Sequence, residues 1–397
     1  KDKADLKNTA IDFAYLGFVK PMNQAASASA DVVLVKDKIK SVKNIKLQKS
    51  DFNIAGNLSM YSSGRVKSVD ISQIKGPKTS ARAKVSISDS ENPWLKVEIS
   101  GLSYDLSPFF EQIKSKRQKN NKQIPVQAND DDGFEKANNT DIFMTVNSLW
   151  TNKNTPIQNF AGSSKIRKGI GINELHMVGN YGIDKSIKLK LDYIPKDNKE
   201  HYLSIDSNNA GSTLKVLRLY DNMVGGTMKI EARRQADKKF IGHMQVRDFS
   251  IQNAPVMAKL LSVASFTGML DLLKGDGLTF THFNAPFEYQ YKILTLKQAK
   301  AEGNVVGITT NGTYNRATDD IKMSGVIAPA YSINRFLGKI PVVGNLLASK
   351  DGTIFAATYK INGNADDAKI DINSLSMLSP NSLKEWYAKN FGDGAEY

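Results

Sequence analysis

The chain has no cysteine and only four histidines in 397 residues. Without thiols, neither a disulfide framework nor a cysteine metal site can form. The histidines, His176, His201, His243 and His282, stand at no H-E-x-x-H or similar close spacing, so the usual zinc motifs are absent. His176 lies between Leu175 and Met177 in a strand-like stretch and reads as a satisfied structural histidine. There is no G-x-S-x-G nucleophile elbow and no phosphate-binding G-x-x-x-x-G-K-[ST] loop. Gly169-Ile-Gly171 lacks the rest of a dinucleotide fingerprint. A two-carboxylate hydrolase would need acids that meet in space, and nothing in the sequence favours one. Asp130-Asp-Asp-Gly133 lacks the alternating ligands and distant Glu of a calcium loop and reads as a solvated acidic patch. The expectation is a protein that is not an enzyme and that uses no metal and no cofactor.

Long hydrophobic runs are also missing. No window reaches the ~18 uninterrupted apolar residues of a spanning helix. The chain opens at Lys1 with no charged-plus-apolar signal segment. It is therefore expected to be a mature form or a piece of something longer, with any membrane anchor upstream of Lys1.

Positive charge is plentiful, at a net +14. Lysine supplies 44 of the 54 cationic side chains and arginine 10. Specific phosphate and base readout leans on arginine's bidentate fork. The lysines here (Lys36, Lys38, Lys40, Lys43, Lys46, Lys49) are strung along strands rather than clustered with aromatics. They read as a solvated surface, and no nucleic-acid partner is expected.

Period-two alternation dominates the chain. Phe52, Ile54, Gly56, Leu58 and Met60 fall on one face of a stretch whose other face is Asn53, Ala55, Asn57 and Ser59. Ile187, Leu189, Leu191 and Tyr193 alternate with Lys188, Lys190 and Asp192. These are half-buried strands. About twenty such segments follow one another, most joined by tight turns, which describes an antiparallel meander. Residues 114–140, rich in Lys, Gln, Asn and Asp, read as a polar linker or long loop. The expected division is thus a β-meander segment over 1–113, the linker over 114–140, and a second β region over 141–397. A loose repeat of strands followed by a short apolar helix recurs near Asp105, Ser212, Asn253 and Ser332.

The densest apolar stretch is residues 253–275, read as one helix about 30 Å long. Asn253 is its expected cap, Pro255 lies in the first turn and Gly275 is the stop. Ser212 is the expected cap of a shorter helix. A last helix is expected over 379–391, with Ser379 as cap. Few helices exist to cover so many strands, and a sheet with one apolar face must bury it. Three solutions exist: two sheets face to face, a closed barrel, or a curled sheet whose trough holds something greasy. Composition does not choose among them.

From Phe240 onward the chain resembles the C-terminal region of AsmA-like proteins, the group that includes YhdP and TamB. The residues that carry the resemblance are Val246-Arg-Asp-Phe-Ser-Ile-Gln-Asn-Ala-Pro255, leading into Leu260-Leu-Ser-Val-Ala-Ser-Phe-Thr-Gly-Met-Leu-Asp-Leu-Leu273. Gly277-Leu-Thr-Phe280, Asn284-Ala-Pro-Phe287, Pro329-Ala-Tyr-Ser-Ile-Asn334 and Ile340-Pro-Val-Val-Gly344 follow. Phe355-Ala-Ala-Thr-Tyr359, Ile372-Asn-Ser-Leu375 and Leu378-Ser-Pro380 complete it. Upstream, Tyr104-Asp-Leu-Ser-Pro108 and Tyr220-Asp-Asn-Met-Val-Gly-Gly226 are similar to family landmarks, while the linker at 114–140 departs from the pattern.

The resemblance implies a mainly β protein: an elongated, curled antiparallel β-sheet with an apolar groove and a few short amphipathic helices, mostly toward the C-terminal end. It implies a non-enzymatic lipid-binding module of the bacterial envelope, periplasmic and anchored in the inner membrane by an upstream segment. Its work would be phospholipid transport between the inner and outer membranes and outer-membrane maintenance. The expected partners are phospholipid, the bacterial membrane surface and other envelope proteins. Phe52, Ile54, Leu58, Ile187, Leu189 and Leu191 are the expected groove lining. Leu260, Leu261, Phe266, Leu270, Leu273, Phe336, Leu337, Val342, Leu346 and Trp386 are the expected membrane contacts. The competing expectation is a structural scaffold with a closed β core that binds protein partners.

Overall fold

Strand alternation becomes sheet structure directly. Along Phe52–Met60, Phe52, Ile54 and Gly56 are buried, while Asn53 and Ala55 are half-buried and Asn57 is exposed. The structure, a computed structural model, describes residues 2–13, 16, 18–111, 134–181, 188–217, 219–263, 268–329, 354–365 and 367–378. It is mainly β, 65% strand against 10% helix, and its large, mostly antiparallel sheet does not close on itself. A closed barrel is thereby removed from the three solutions. The chain divides into two compact units, the first Lys1–Gln123, Asp131–Asp197 and Val216–Arg218, the second Ile124–Asp130, Asn198–Lys215 and Leu219–Tyr397.

The first unit begins with strand β1 (Asp2–Asp5) and a small hairpin of β2 (Ile11–Phe13) and β3 (Phe18–Lys20). A meander follows: β4 (Ala26–Val35), β5 (Lys38–Lys49), β6 (Phe52–Met60), β7 (Val66–Lys75), β8 (Ser80–Ile87) and β9 (Leu95–Asp105). A second run holds β10 (Thr140–Trp150), β11 (Pro156–Arg167), β12 (Gly171–Asn180) and β13 (Lys188–Pro195). β1 pairs with β4, and β9 pairs with β10 in parallel along their length. The stretch expected to separate two domains therefore does not separate the sheet. Residues 112–133 lie outside the described residues, but the strands flanking them are neighbours in one unit. The division falls instead near Asn198.

Phe18 and Lys20 anchor the small hairpin. Phe18 is fully buried, its ring edge-on to Phe52 at 5.3 Å. Lys20 is equally buried, and its ammonium donates to the carbonyls of Lys7, Thr9 and Pro21 at 3.2, 2.6 and 3.1 Å. A buried charge is tolerated when its donors are all met.

The second unit is a meander of nine strands: β14 (His201–Ser207), β15 (Met223–Arg234), β16 (Phe240–Ile251), β17 (Leu278–Gln290), β18 (Ile293–Gly303), β19 (Val306–Asn315), β20 (Asp320–Pro329), β21 (Ile354–Asn364) and β22 (Lys369–Leu378). Each pairs antiparallel with the next. Helix α1 (Ala210–Val216) follows β14. Its cap is Asn209, whose side chain accepts from the Ser212 amide at 2.9 Å, and not Ser212 as expected.

The expected single helix over 253–275 is two: α2 (Pro255–Val263) and α3 (Gly268–Lys274). Asn253 is not the cap. It takes a left-handed φ of 49°, and the Ala254 carbonyl accepts the first helical amide, that of Ala258, at 2.9 Å. The stop holds: the Gly275 amide donates to the Asp271 carbonyl at 2.9 Å. α2 packs against β22 and α3 against β17. Lys259 of α2 donates to the Ala368 carbonyl at 2.7 Å beside Asp367. Among the described residues no helix is long and apolar enough to cross a membrane.

Candidate functional site: a register-matched apolar face

Register decides which side chains share a face, because paired residues lie side by side. In the first unit one pairing line runs Ile45, Gly56, Ile71, Ala83, Ile99, Met144, Gly162, Met177 and Leu191 across nine strands. Two residues along each strand, or three along β5 where the register shifts between Val42 and Ile45, lies a second line: Val42, Leu58, Val69, Val85, Val97, Ile142, Ser164, Leu175 and Tyr193. Of the eighteen positions only Ser164 has a polar aliphatic side chain, and Tyr193 adds a phenol at the end of its line. At ~4.8 Å between strands, nine strands span roughly 40 Å, and the two lines project on the order of 500 Å2 of apolar area. That is comparable to the largest apolar patch, about 300–600 Å2, that a monomer ordinarily carries, and such patches often mark a binding surface.

Burial along this face is graded. Ile45, Leu58, Val69, Ile71, Val85, Val97, Ile99, Ile142, Met144, Leu175 and Met177 are all half-buried. Toward the other end of the same strands the face is dry: Ile54, Ile74, Val146 and Phe160 pair along one line and are buried.

The second unit repeats the arrangement. Leu203, Ala232, Gly242, Phe287, Leu296, Gly312, Met323, Ile361 and Ile370 form one line over β14–β22. Leu203, Phe287, Leu296 and Met323 are half-buried, whereas Ala232, Ile361 and Ile370 are buried. A neighbouring line holds Met228, Val246, Ile308 and Ile327, all buried.

Close strand approach needs glycine at several points, Gly56 and Gly325 among them. A Cβ at Gly56 would overlap the Asp70 carbonyl oxygen, and one at Gly325 would overlap that of Thr309. Glycine in a strand interior marks such tight bends.

The opposite faces are polar and ion-paired. Lys165–Glu174 (2.9 Å), Lys190–Asp192 (2.8 Å), Lys229–Glu231 (3.0 Å) and Arg167–Asp141 (2.8 Å) lie there. His176 belongs to this network, its Nδ1 2.7 Å from Asp192 and its Nε2 3.1 Å from Glu174. The Asp192 bond, ahead of burial acting the other way, raises the His176 pKa above its ordinary value. Lys165 chiefly lowers that of Glu174. Burial works to raise Asp192, but Lys190 and His176 outweigh it and the net shift is downward.

A raised histidine stabilises the fold fully below its unfolded value near 6.5 and ceases to do so as pH climbs through the folded value. The His176 imidazole, followed by NMR, should titrate above pH ~6.5. A midpoint at or below that value would mean the pair bonds do not persist in solution.

The expected site residues fall as follows. Phe52, Ile54, Leu189 and Leu191 are buried, and Leu58 is half-buried on the open part of the face. Ile187 lies outside the described residues. Leu260, Leu261 and Leu273, expected as membrane contacts, are 3, 0 and 1% exposed. They pin α2 and α3 into the second unit and are not offered at its surface, because nearly all-round apolar helices bury their faces where a sheet is available. Leu270 is half-buried. Phe266, Phe336, Leu337, Val342, Leu346 and Trp386 lie outside the described residues, as does the helix expected over 379–391.

The face residues that sequence reading did not single out, Ile71, Ala83, Ile99, Met144 and Met177, each sit in a locally alternating strand. Only the register joins them. Two shallow hollows occur elsewhere, one of about 360 Å3 bordered by Ile74, Arg82 and Leu102, the other of about 240 Å3 bordered by Asp248, Phe280 and Asn304. Among the described residues no three His, Asp or Glu side chains come together in a way that could hold a metal ion. No protein-family model, curated protein or solved structure matches the chain.

Proposed function

We propose that this chain is a non-enzymatic lipid-binding module of a bacterial envelope protein, and that its apolar face is a groove for phospholipid acyl chains. The observation that carries this reading is the register-matched apolar line, half-buried over much of its length, that crosses nine strands in each unit. Covering such a face with something apolar is favourable, and an acyl chain does so without a specific pocket. The resemblance of the chain from Phe240 onward to AsmA-like proteins supplies the setting: phospholipid moving between inner and outer membranes, in a periplasmic protein held by an upstream anchor. The competing scaffold reading draws on the dry ends of the same face, such as Ile74 and Ile327, both fully buried.

Mass spectrometry of organic extracts from detergent-free protein tests the two. Phospholipid at stoichiometric amounts is the expected result. Lipid-free, monodisperse protein would retire the groove and put the scaffold first.

A further inference from the structure

The β4–β5 hairpin stands at the open end of the first unit's apolar face and carries an unusual surface. Val32, Leu34, Val35 and Ile39 are 44, 59, 48 and 45% exposed. They are register partners or neighbours: Val32 faces Val42, Leu34 faces Ile39 and Val35 faces Lys38. A two-residue turn of Lys36 and Asp37, with φ of 50° and 56°, makes the tip. Lys36, Lys38, Lys40 and Lys43 are exposed around it and, among the described residues, make no ion pair. Asp31 is engaged by the Asn44 amide at 2.7 Å, leaving Asp37 as the acid at the tip.

The same end of the sheet carries two more exposed apolar side chains. Strand directions place the residues before β9 and between β11 and β12 beside this tip's end, and these include Trp94 and Ile170, 45 and 46% exposed. Trp94 is held firmly, with the Arg167 guanidinium 4.5 Å from its ring centre and its indole N–H 3.4 Å from Asp141. Lys168 adjoins it, bonded to Asn92 at 2.8 Å.

We propose that this end of the first unit, led by the Val32–Ile39 hairpin, docks on an anionic phospholipid bilayer. Apolar side chains at the tip enter the acyl boundary while the lysines meet headgroup phosphates, the layering by which amphipathic surfaces bind membranes. Trp94 sits where an interfacial aromatic is stable. An acidic protein segment would satisfy the lysines alone. The hairpin and Ile170 lie roughly 30 Å apart along the sheet, and a bilayer meets both at once. The inference rests on the lipid-carrying reading for its purpose: a docked open end would let acyl chains pass between bilayer and face.

The absence of cysteine allows a direct test. Val35→Cys in the full chain gives one site for an environment-sensitive dye, and Lys153→Cys, in the turn at the far end of β10, gives a control. The vesicles are phosphatidylcholine with about 30 mol% phosphatidylglycerol, compared with pure phosphatidylcholine. The Val35 dye should shift to the blue and become open to a lipid-embedded quencher, and the Lys153 dye should not. Each lysine at an anionic surface is worth about fivefold in partitioning. Lys36→Glu with Lys38→Glu and Lys40→Glu should therefore weaken co-sedimentation with the anionic vesicles at least a hundredfold, and Leu34→Asp with Val35→Asp at least tenfold, with circular dichroism unchanged. A Val35 dye indifferent to vesicles, or binding unaltered in the charge variant, would overturn the docking assignment and return the patch to a protein partner. Protein that docks yet yields no extractable lipid would retire the carrier reading alone; protein that holds lipid but does not dock would retire this inference alone.

Discussion

Leu58→Glu should empty the protein of phospholipid while leaving it folded, and Leu189→Glu should unfold the first unit. The two leucines were equivalent in the alternation of their strands, but the structure separates them. Leu58 is half-buried between Val42 and Val69, on the open part of the face, so a carboxylate there keeps contact with water. It would break the apolar line one strand in from its β5 end, and lipid in organic extracts should fall severalfold. Leu189 is 2% exposed. A carboxylate in its place loses leucine packing, worth about 2–5 kcal/mol, and adds the desolvation of a polar group. Against a typical stability of about 5–15 kcal/mol, that is enough to unfold a unit. Lipid extraction and denaturant melts of both variants read the contrast. Equal melts would mean the face is uniformly dry or uniformly open, and lipid retained by Leu58→Glu would mean it lies elsewhere.

Gly325→Val is the second change with a large expected effect. Gly325 pairs with Thr310 on one side and Tyr359 on the other. The Tyr359 hydroxyl crosses above it to donate to the Thr309 carbonyl at 2.9 Å, in a buried position. Any Cβ at Gly325 would overlap that same carbonyl oxygen and press the tyrosine hydroxyl. Overpacking costs about 1–3 kcal/mol, and the orphaned buried hydroxyl and carbonyl add about 1–3 more. Tyr359→Phe, which removes the bond without a clash, should cost only about 1 kcal/mol. A Gly325→Val protein as stable as Tyr359→Phe would show that the strands separate more freely than their register implies.

The same tyrosine sets an alkaline limit. Burial pushes its pKa up to about 12, from an ordinary value of 10.0. A raised group stabilises the fold fully below the unfolded value and ceases to do so as pH passes through the folded one. The second unit should therefore lose stability between about pH 10 and 12, and Tyr359→Phe should flatten that loss.

Much of this was legible in the sequence, and the parts that were not have a common cause. Alternation in Phe52–Met60 and Lys188–Pro195 located strands and their apolar sides because side-chain direction is local. The capping residues were misplaced by one to three positions at α1 and α2. Asn, Ser and Asp near a helix start compete for the same amides, and only the backbone path decides between them. Composition changes at 114–140 and so suggests a domain division there. Yet Val97 pairs with Ile142 across that stretch, a contact no local pattern encodes. The hairpin lysines read as a solvated surface for the same reason. Only the register shows that Leu34 and Ile39 are exposed beside them.

The parallel pairing of β9 with β10 has a kinetic consequence. Among the described residues of the first unit, the antiparallel pairings within β4–β9 and within β10–β13 each join consecutive strands. Hairpins of that kind zip in about 1–10 μs. Asp105 and Thr140 instead bound a loop that must close before β9 and β10 gain any contact, and its entropy is lost first. The meanders on either side can thus form early and independently, each presenting β9 or β10 as a raw edge and its apolar side uncovered. Their joining is the late step, and until it occurs β9 and β10 are the edges most exposed to pairing with another chain.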